Sequence, residues 1–78
     1  MLESNPDDYG TNLLLGRILV GKGDAAAALP RLKKAAALEP KASEPHQLLA
    51  DAYDKLGRKE AAARERTVAK RMAASADE

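Results

Sequence analysis

The chain has 78 residues, with 13 Lys and Arg against 12 Asp and Glu, and a net charge of +1 at neutral pH. This balance leaves no overall field to attract nucleic acid or an acidic membrane surface. Cysteine is absent, so disulfides, thiolate catalysis and zinc–thiolate sites are excluded. No apolar run approaches the ~20 residues that span a bilayer, and the N-terminus lacks a signal-peptide pattern. The sequence slightly favours the cytoplasm and leaves the compartment open.

Apolar residues recur at spacings of three and four, and Gly and Pro separate the runs, which predicts four helices. The first covers residues 8–21, opened by Pro6 with Asp7 and Asp8 in its first turn, where carboxylates suit the positive end of the helix dipole. The apolar face of this helix is predicted to consist of Leu14, Leu15, Ile18 and Leu19.

Gly23 predicts a tight turn into Asp24, which is a suitable N-cap for a second helix that reaches residue 38. Pro30 lies inside this helix, where it is expected to bend the axis without ending the helix. The side chains expected to face inward are Leu29, Leu32, Ala35, Ala36 and Leu38.

The third helix is expected to begin at Ser43, with Pro45 in its first turn, and to end at Gly57. Its predicted buried residues are Leu48, Leu49, Ala52, Tyr53 and Leu56. The fourth helix, residues 59–74, is dense in Arg, Lys and Glu and is interpreted as a capping helix that faces water, followed by a frayed tail at residues 75–78. Its weaker apolar stripe comprises Ala62, Ala63, Val68, Ala69 and Met72.

The chain resembles itself at an offset of 34 residues. Identical pairs at this offset include Pro6 and Pro40, Leu14 and Leu48, Leu15 and Leu49, Gly23 and Gly57, and Ala28 and Ala62. The first unit carries Leu15-Gly16, Leu19, Ala28, Leu32, Ala35 and Pro40, and the second carries Leu49-Ala50, Tyr53, Ala62, Ala69 and, as a poorer match, Ala74. This pattern resembles the signature of the tetratricopeptide repeat (TPR) family.

The resemblance implies an all-α fold of antiparallel helix-turn-helix repeats, a TPR-type α-solenoid fragment with four helices. The units are residues 8–40 and 41–74, and residues 1–7 are interpreted as the end of a preceding repeat or a linker. Asn12 and His46 depart from the usual opening Trp, and Arg66 replaces a large residue of the second helix. The last of these departures argues against a further standard repeat docking on the last helix.

By the same resemblance, the chain is a protein–protein interaction module that holds a partner segment in the concave groove lined by the first helix of each unit. The residues at the groove positions are Gly10, Leu13, Arg17, Val20, Glu44, Gln47, Asp51 and Asp54. Arg17 and Asp51 are equivalent positions and are expected to pair across the groove. The acidic second unit favours a partner with basic or amide groups. Leu13 and Arg17 stand where chaperone-binding members use Lys and Asn, so that carboxylate clamp is absent.

The sequence carries only weak motifs for nucleotide binding, metal binding or catalysis. Residues 16–23 resemble a phosphate-binding P-loop, but Gly23 stands where Ser or Thr is needed, and no strand is predicted before them. His46 has no second histidine or cysteine to share a metal, and Asp51 and Asp54 fit a solvated helix face better than paired catalytic carboxylates. We therefore predict no enzyme activity, no cofactor and no metal.

A basic face on the fourth helix is the remaining candidate for a polyanion site. It comprises Lys59, Arg64, Arg66, Lys70 and Arg71. Glu60 and Glu65 interrupt it, and no aromatic residue is interleaved to stack a base. Nucleic acid and membranes are therefore not expected as partners.

Two units alone are expected to be marginal, because about three repeats are usually needed to bury the apolar faces of a solenoid. The first helix is apolar on more than one side, which suits a neighbour that this chain lacks. A homodimer or domain-swapped oligomer through the first helix is therefore expected. A structural spacer or self-association segment of a larger protein is the alternative to a binding module.

Overall fold

The computed structural model describes residues 8–76 and is built from four α-helices, with no strand among these residues. They are α1 (Tyr9–Gly21), α2 (Ala25–Leu38), α3 (Glu44–Lys55) and α4 (Lys59–Ala76). The predicted all-α class and the four helices are confirmed. Helix α4 continues two residues past the predicted end. The roles predicted for Pro6, Asp7 and residues 1–7, and the last two residues of the predicted tail, lie outside the described residues.

The two hairpins, α1–α2 and α3–α4, close with the same turn. Gly23 and Gly57 have φ angles of +89° and +81°, a conformation that strongly favours glycine. The amide after each glycine, of Asp24 and Arg58, donates to the carbonyl five residues earlier at 2.8 Å. This is the Schellman arrangement, which satisfies carbonyls left free at a helix end. The predicted glycine turns are confirmed in both hairpins.

The helices begin within one residue of the predicted positions, but not every predicted cap residue makes a capping hydrogen bond. Asp8 is the N-cap of α1, and its carboxylate accepts hydrogen bonds from the amides of Gly10 and Thr11. Asp24 and Ser43 occupy the cap positions of α2 and α3, but neither side chain makes a capping hydrogen bond. Helix α2 continues through Pro30, as predicted, and the expected bend at this residue stays a prediction.

The helices pack as a sequential array. Helix α1 packs along α2, α3 packs along α4, and α2 also packs against α3, with a smaller contact between α1 and α3. A single core runs through both hairpins and is built mainly from small residues and a few larger ones. Ala28 and Ala62, predicted to be small because helices approach closely there, are fully buried. The core is thin, as expected for a chain of this size.

Four large apolar side chains predicted to be buried are instead exposed. Leu14 and Ile18 of α1 are 50% and 47% exposed, and Leu38 and Leu56 near the ends of α2 and α3 are 42% and 40% exposed. The inward face of α1 consists of Asn12, Leu13, Gly16 and Val20. Of the predicted apolar face of α1, Leu15 and Leu19 are half-buried and Leu14 and Ile18 are exposed, because the helix is apolar on several sides and the positions of α2 and α3 decide which side is covered.

Candidate functional site

The eight predicted groove positions lie on α1 and α3, which are adjacent in the array. Six of these positions are exposed, namely Gly10, Arg17, Glu44, Gln47, Asp51 and Asp54. Among them, Arg17 places a positive charge on α1, and the other three charged residues place carboxylates on α3. Such a surface can recognise a partner by charge complementarity.

Leu13 and Val20 do not present open side chains at this surface. They are 8% and 7% exposed and belong to the same core cluster as Leu49 and Tyr53 of α3. The residues one repeat later, Gln47 and Asp54, are exposed. The contact between α1 and α3 accounts for the difference, because α3 adds a neighbour beside α1. Their predicted role as open groove residues needs this correction.

The predicted pair between Arg17 and Asp51 does not form among the described residues. Asp51 Oδ1 lies 3.7 Å from Arg66 Nη2 instead, and Asp54 Oδ2 lies 2.5 Å from the same nitrogen. The hydrogen bond from Arg66 to Asp54 raises the pKa of the guanidinium, and the charges of Asp54 and Asp51 act in the same direction. Arg66 of α4 therefore neutralises part of the acidic surface that the sequence predicted.

The Arg66–Asp51 pair borders a cleft of about 590 Å³ between α3 and α4. Its lining includes Gln47, Asp51, Arg66, Ala69 and Lys70. The positions one repeat earlier include three buried members of the shared core, Leu13, Leu32 and Ala35. The cleft is thus the position equivalent to the side of the first hairpin on which the second hairpin packs, and both charged side chains and alanines line it.

A comparison with known protein families shows which family has this arrangement of helices. A tetratricopeptide repeat model matches residues 19–65, which is more than half of the chain. The chain belongs to the tetratricopeptide repeat family. Neither the curated proteins nor the solved structures yield a match to it. TPR units are typically non-catalytic protein-interaction modules, and this general role is what family membership supports here.

Both TPR units replace the opening aromatic residue with a polar side chain that reaches the second helix. Asn12 is 1% exposed, and its side-chain oxygen accepts a hydrogen bond from Arg31 Nη1 at 3.3 Å. One repeat later, His46 Nδ1 lies 2.6 Å from Glu65 Oε1. Both pairs join residues 19 positions apart. These pairs were not predicted from the sequence, although residues 12 and 31 align with residues 46 and 65 in the repeat register.

Tyr9 is a further residue near the groove that the sequence analysis did not assign to it. Its ring is half-buried against the core. Burial raises the pKa of the Tyr9 hydroxyl, and the nearby carboxylates of Glu44 and Glu39 raise it further. An aromatic residue therefore stands close to Glu44 of α3, at the end of the groove where α1 begins.

The remaining sequence candidates occupy ordinary structural positions. The stretch that resembles a P-loop forms the last turns of α1 and the turn after it. In the described part of the chain, no three His, Asp or Glu side chains come together as a metal-ligand set. The basic side chains of α4 are exposed, and one of them, Arg66, is held by carboxylates. None of the helices among residues 8–76 has the length and apolar content to cross a bilayer.

Proposed function

We propose that the chain binds a segment of a partner protein along the groove formed by α1 and α3. The observation that carries the proposal is the row of exposed polar side chains on these two adjacent helices. Arg17 lies on the α1 side, whereas Asp51 and Asp54 lie on the α3 side. A TPR unit that holds a partner by shape and side-chain complementarity needs such an open surface on a rigid helical support.

The carboxylates of α3 favour a partner segment that carries Lys or Arg. Asp54 already accepts a hydrogen bond from the Arg66 guanidinium, and Asp51 lies within ion-pair distance of it, which supports a preference for such a group. All three side chains are 43–55% exposed, and ion pairs between exposed groups contribute little to stability. A basic group of the partner can therefore take the place of Arg66 at a small free-energy cost.

Matched peptides test this proposal directly. Two labelled peptides of equal length, one carrying Lys and Arg and the other Asp and Glu, are titrated with the protein by fluorescence anisotropy at low and high salt. We expect tighter binding of the basic peptide, weakened by salt, and several-fold weaker binding to the Asp51→Asn variant. Glu60→Gln is the matched control, because Glu60 is an exposed acid on α4 away from the groove.

A preference for the acidic peptide, or an equal loss with Glu60→Gln, would contradict the proposed groove. Charge-reversing substitutions at Arg17 and Asp51 distinguish a binding module from the alternative, a structural spacer. If Arg17→Glu and Asp51→Lys both leave peptide binding unchanged, the groove is not the binding surface and the spacer is favoured.

Self-association through α1 is a second candidate function, favoured by a specific observation. Leu14 and Ile18 are 50% and 47% exposed and lie one turn apart on the same helix. Adjacent apolar side chains that remain in water are typical of an interaction surface. A homodimer through α1 would cover them and would extend the thin core of the two hairpins.

A further inference from the structure

The cleft between α3 and α4 adjoins the groove. Gln47 and Asp51 are groove positions, and both also line the cleft. On the α4 side the lining includes three alanines, Ala63, Ala69 and Ala73. Ala69 is 3% exposed, whereas Ala63 and Ala73 are open to solvent. A partner that binds in the groove therefore has apolar surface within reach beside Asp51.

A helix occupies the equivalent place in the first hairpin. Helix α3 packs against α2 and, to a smaller extent, against α1. The residues one repeat before the cleft lining include Leu13, Leu32 and Ala35, which belong to one buried cluster with Leu49 and Tyr53 of α3. The cleft is therefore the second hairpin's version of a surface that the chain itself covers with a helix.

The extent of the cleft sets the length of the helix that it can hold. Its lining on α4 runs from Ala63 to Ala73, which is about three turns, or about 15 Å, of helix. The distance between packed helices depends on the side chains at the contact, so the alanines allow a close approach. A helix with apolar side chains along one face would cover them.

The charged residues of the cleft define a second requirement. Asp51 lines the α3 side and lies within ion-pair distance of Arg66. Lys70 lines the α4 side, is exposed, and makes no ion pair with the residues that the structure describes. A helix that covered Lys70 without offering it a carboxylate would remove an unpaired cation from water, which is costly. The first hairpin has Ala36 at this position, so the charge pattern needed here differs from that of α3.

We propose that the cleft binds a helix of about three turns from a partner protein, with an apolar face on the alanines, a basic residue towards Asp51 and an acidic residue towards Lys70. The proposal rests on the partner binding proposed above and specifies the conformation and charge pattern of the partner. Binding in the groove alone requires only a basic group. The apolar face and the acidic residue are what the cleft adds.

Two labelled peptides of about 14 residues and identical composition test this proposal. One carries Leu and Ala at spacings of three and four, with Lys along one edge of this stripe and Glu along the other; the second has the same residues in an order that forms no stripe. Fluorescence anisotropy measures binding, and circular dichroism measures the helix gained on mixing. We expect the amphipathic peptide to bind about tenfold more tightly and to become helical when bound.

Adjacent residues of α4 supply matched control variants. Ala73→Gln places a longer side chain in the cleft, and Ala74→Gln places the same side chain at an exposed position outside the lining. Lys70→Gln removes the cation of the cleft, and Arg71→Gln removes an exposed cation beside it. We expect binding of the amphipathic peptide to weaken about tenfold with Ala73→Gln and several-fold with Lys70→Gln, and to be unchanged in both controls. Glutamine is a good helix former, and if Ala73→Gln nevertheless loses helix, Ala63→Gln blocks the other end of the cleft.

Three outcomes would overturn the proposal. If Ala73→Gln and Lys70→Gln bind the amphipathic peptide as the wild type does while Asp51→Asn binds it more weakly, the partner lies in the groove without a helix in the cleft, and the proposed function stands alone. If none of these variants, Asp51→Asn included, changes binding, the groove and the cleft both fail. If sedimentation velocity shows that the wild-type chain self-associates and that Ala73→Gln abolishes this, the cleft is occupied by a second copy of the chain instead of a partner.

Discussion

The two hairpins close with the same turn but differ where their helices cross most closely. In the first hairpin Leu32 of α2 is fully buried above Gly16 of α1, and an added Cβ at Gly16 would lie 2.6 Å from Leu32 Cγ. In the second hairpin the equivalent residues are Arg66 and Ala50. In each hairpin the residue on the first helix is small enough for the side chain opposite it. Glycine lies opposite the buried Leu32, whereas the methyl group of Ala50 is tolerated because no buried leucine lies against it.

The difference follows from what covers each hairpin. The second hairpin packs against the first, so the residues of the first that face α3 are apolar and buried. The corresponding cleft of the second hairpin is open, and Arg66, Asp51 and Lys70 line it together with Ala63, Ala69 and Ala73. A repeat position is therefore apolar or charged according to its neighbour, and the repeat signature alone does not decide the residue type.

The strongest test of this contrast is alanine substitution at the equivalent positions 32 and 66. Leu32→Ala removes the largest fully buried side chain and leaves a cavity, which typically costs about 2–5 kcal/mol. We expect this loss to remove most of the cooperative transition in a chain with so thin a core. Arg66→Ala removes ion pairs between exposed side chains and should leave the urea midpoint nearly unchanged.

Urea unfolding followed by circular dichroism, at one fixed protein concentration, measures both variants. The concentration is fixed because self-association would add to the apparent stability. Equal losses for the two variants would show that Arg66 is as important to packing as Leu32, and the contrast between the hairpins would fail.

A smaller effect is expected from adding one methyl group to each crossing. Gly16→Ala forces Leu32 to move, and overpacking of this kind costs about 1–3 kcal/mol. The higher helix propensity of alanine returns about 1 kcal/mol, so the net effect is a moderate destabilisation. The reverse change in the second hairpin, Ala50→Gly, should lower stability by about 1 kcal/mol through propensity.

Gly21→Ala is the matched control for Gly16→Ala, because an added Cβ there meets nothing within 4 Å. It should stabilise the chain by up to about 1 kcal/mol in the same urea experiment. Combining Gly16→Ala with Leu32→Ala should cost less than the sum of the two single changes, since the new methyl group fills part of the cavity. A Gly16→Ala variant as stable as Gly21→Ala would refute the close crossing.

Much of this fold follows from local signals in the sequence. The spacing of apolar residues, the glycines at 23 and 57 and the 34-residue offset predict the helices to within one or two residues, because these signals depend on short stretches of chain. These local signals do not specify which side of α1 is buried. Leu13 lies on one side of α1 and Leu14 and Ile18 lie on another, and only the packing of α2 and α3 selects between these sides.

The groove was predictable in position but not in its contacts. Repeat register places Arg17, Asp51 and Asp54 on the first helices of their hairpins, where the structure has them. Which cation approaches the aspartates depends on the rotation of α4 about its axis, which a periodicity does not specify. Arg66 was noted as a departure from the repeat pattern, and this departure was the signal that could have suggested its partners.

The smallest expected effect contrasts the two helix starts. Hydrogen bonds from the Thr11 hydroxyl and from the amides of Gly10 and Thr11 lower the pKa of the Asp8 carboxyl below its usual value of 3.8. The ionised carboxylate is thus favoured in the folded chain. The ionised Asp8 carboxylate therefore stabilises the folded chain at pH values above its pKa in the unfolded chain. This stabilisation is lost as the pH falls through the lower pKa that Asp8 has in the folded chain. At the start of α3, Ser43 makes no side-chain capping bond, so no equivalent pH dependence is expected there.

The Asp8→Asn variant isolates this effect, because asparagine is also a good N-cap but does not titrate. Urea midpoints of the wild type and the variant are compared at neutral pH and at several values below pH ~4. We expect the two to converge as the pH falls, since the carboxylate of the wild type becomes protonated. Ser43→Ala is the control at the start of α3, and its urea midpoint should follow that of the wild type at every pH. A constant difference between Asp8→Asn and the wild type would mean that the Asp8 charge does not stabilise α1, and that the two helix starts are electrostatically alike.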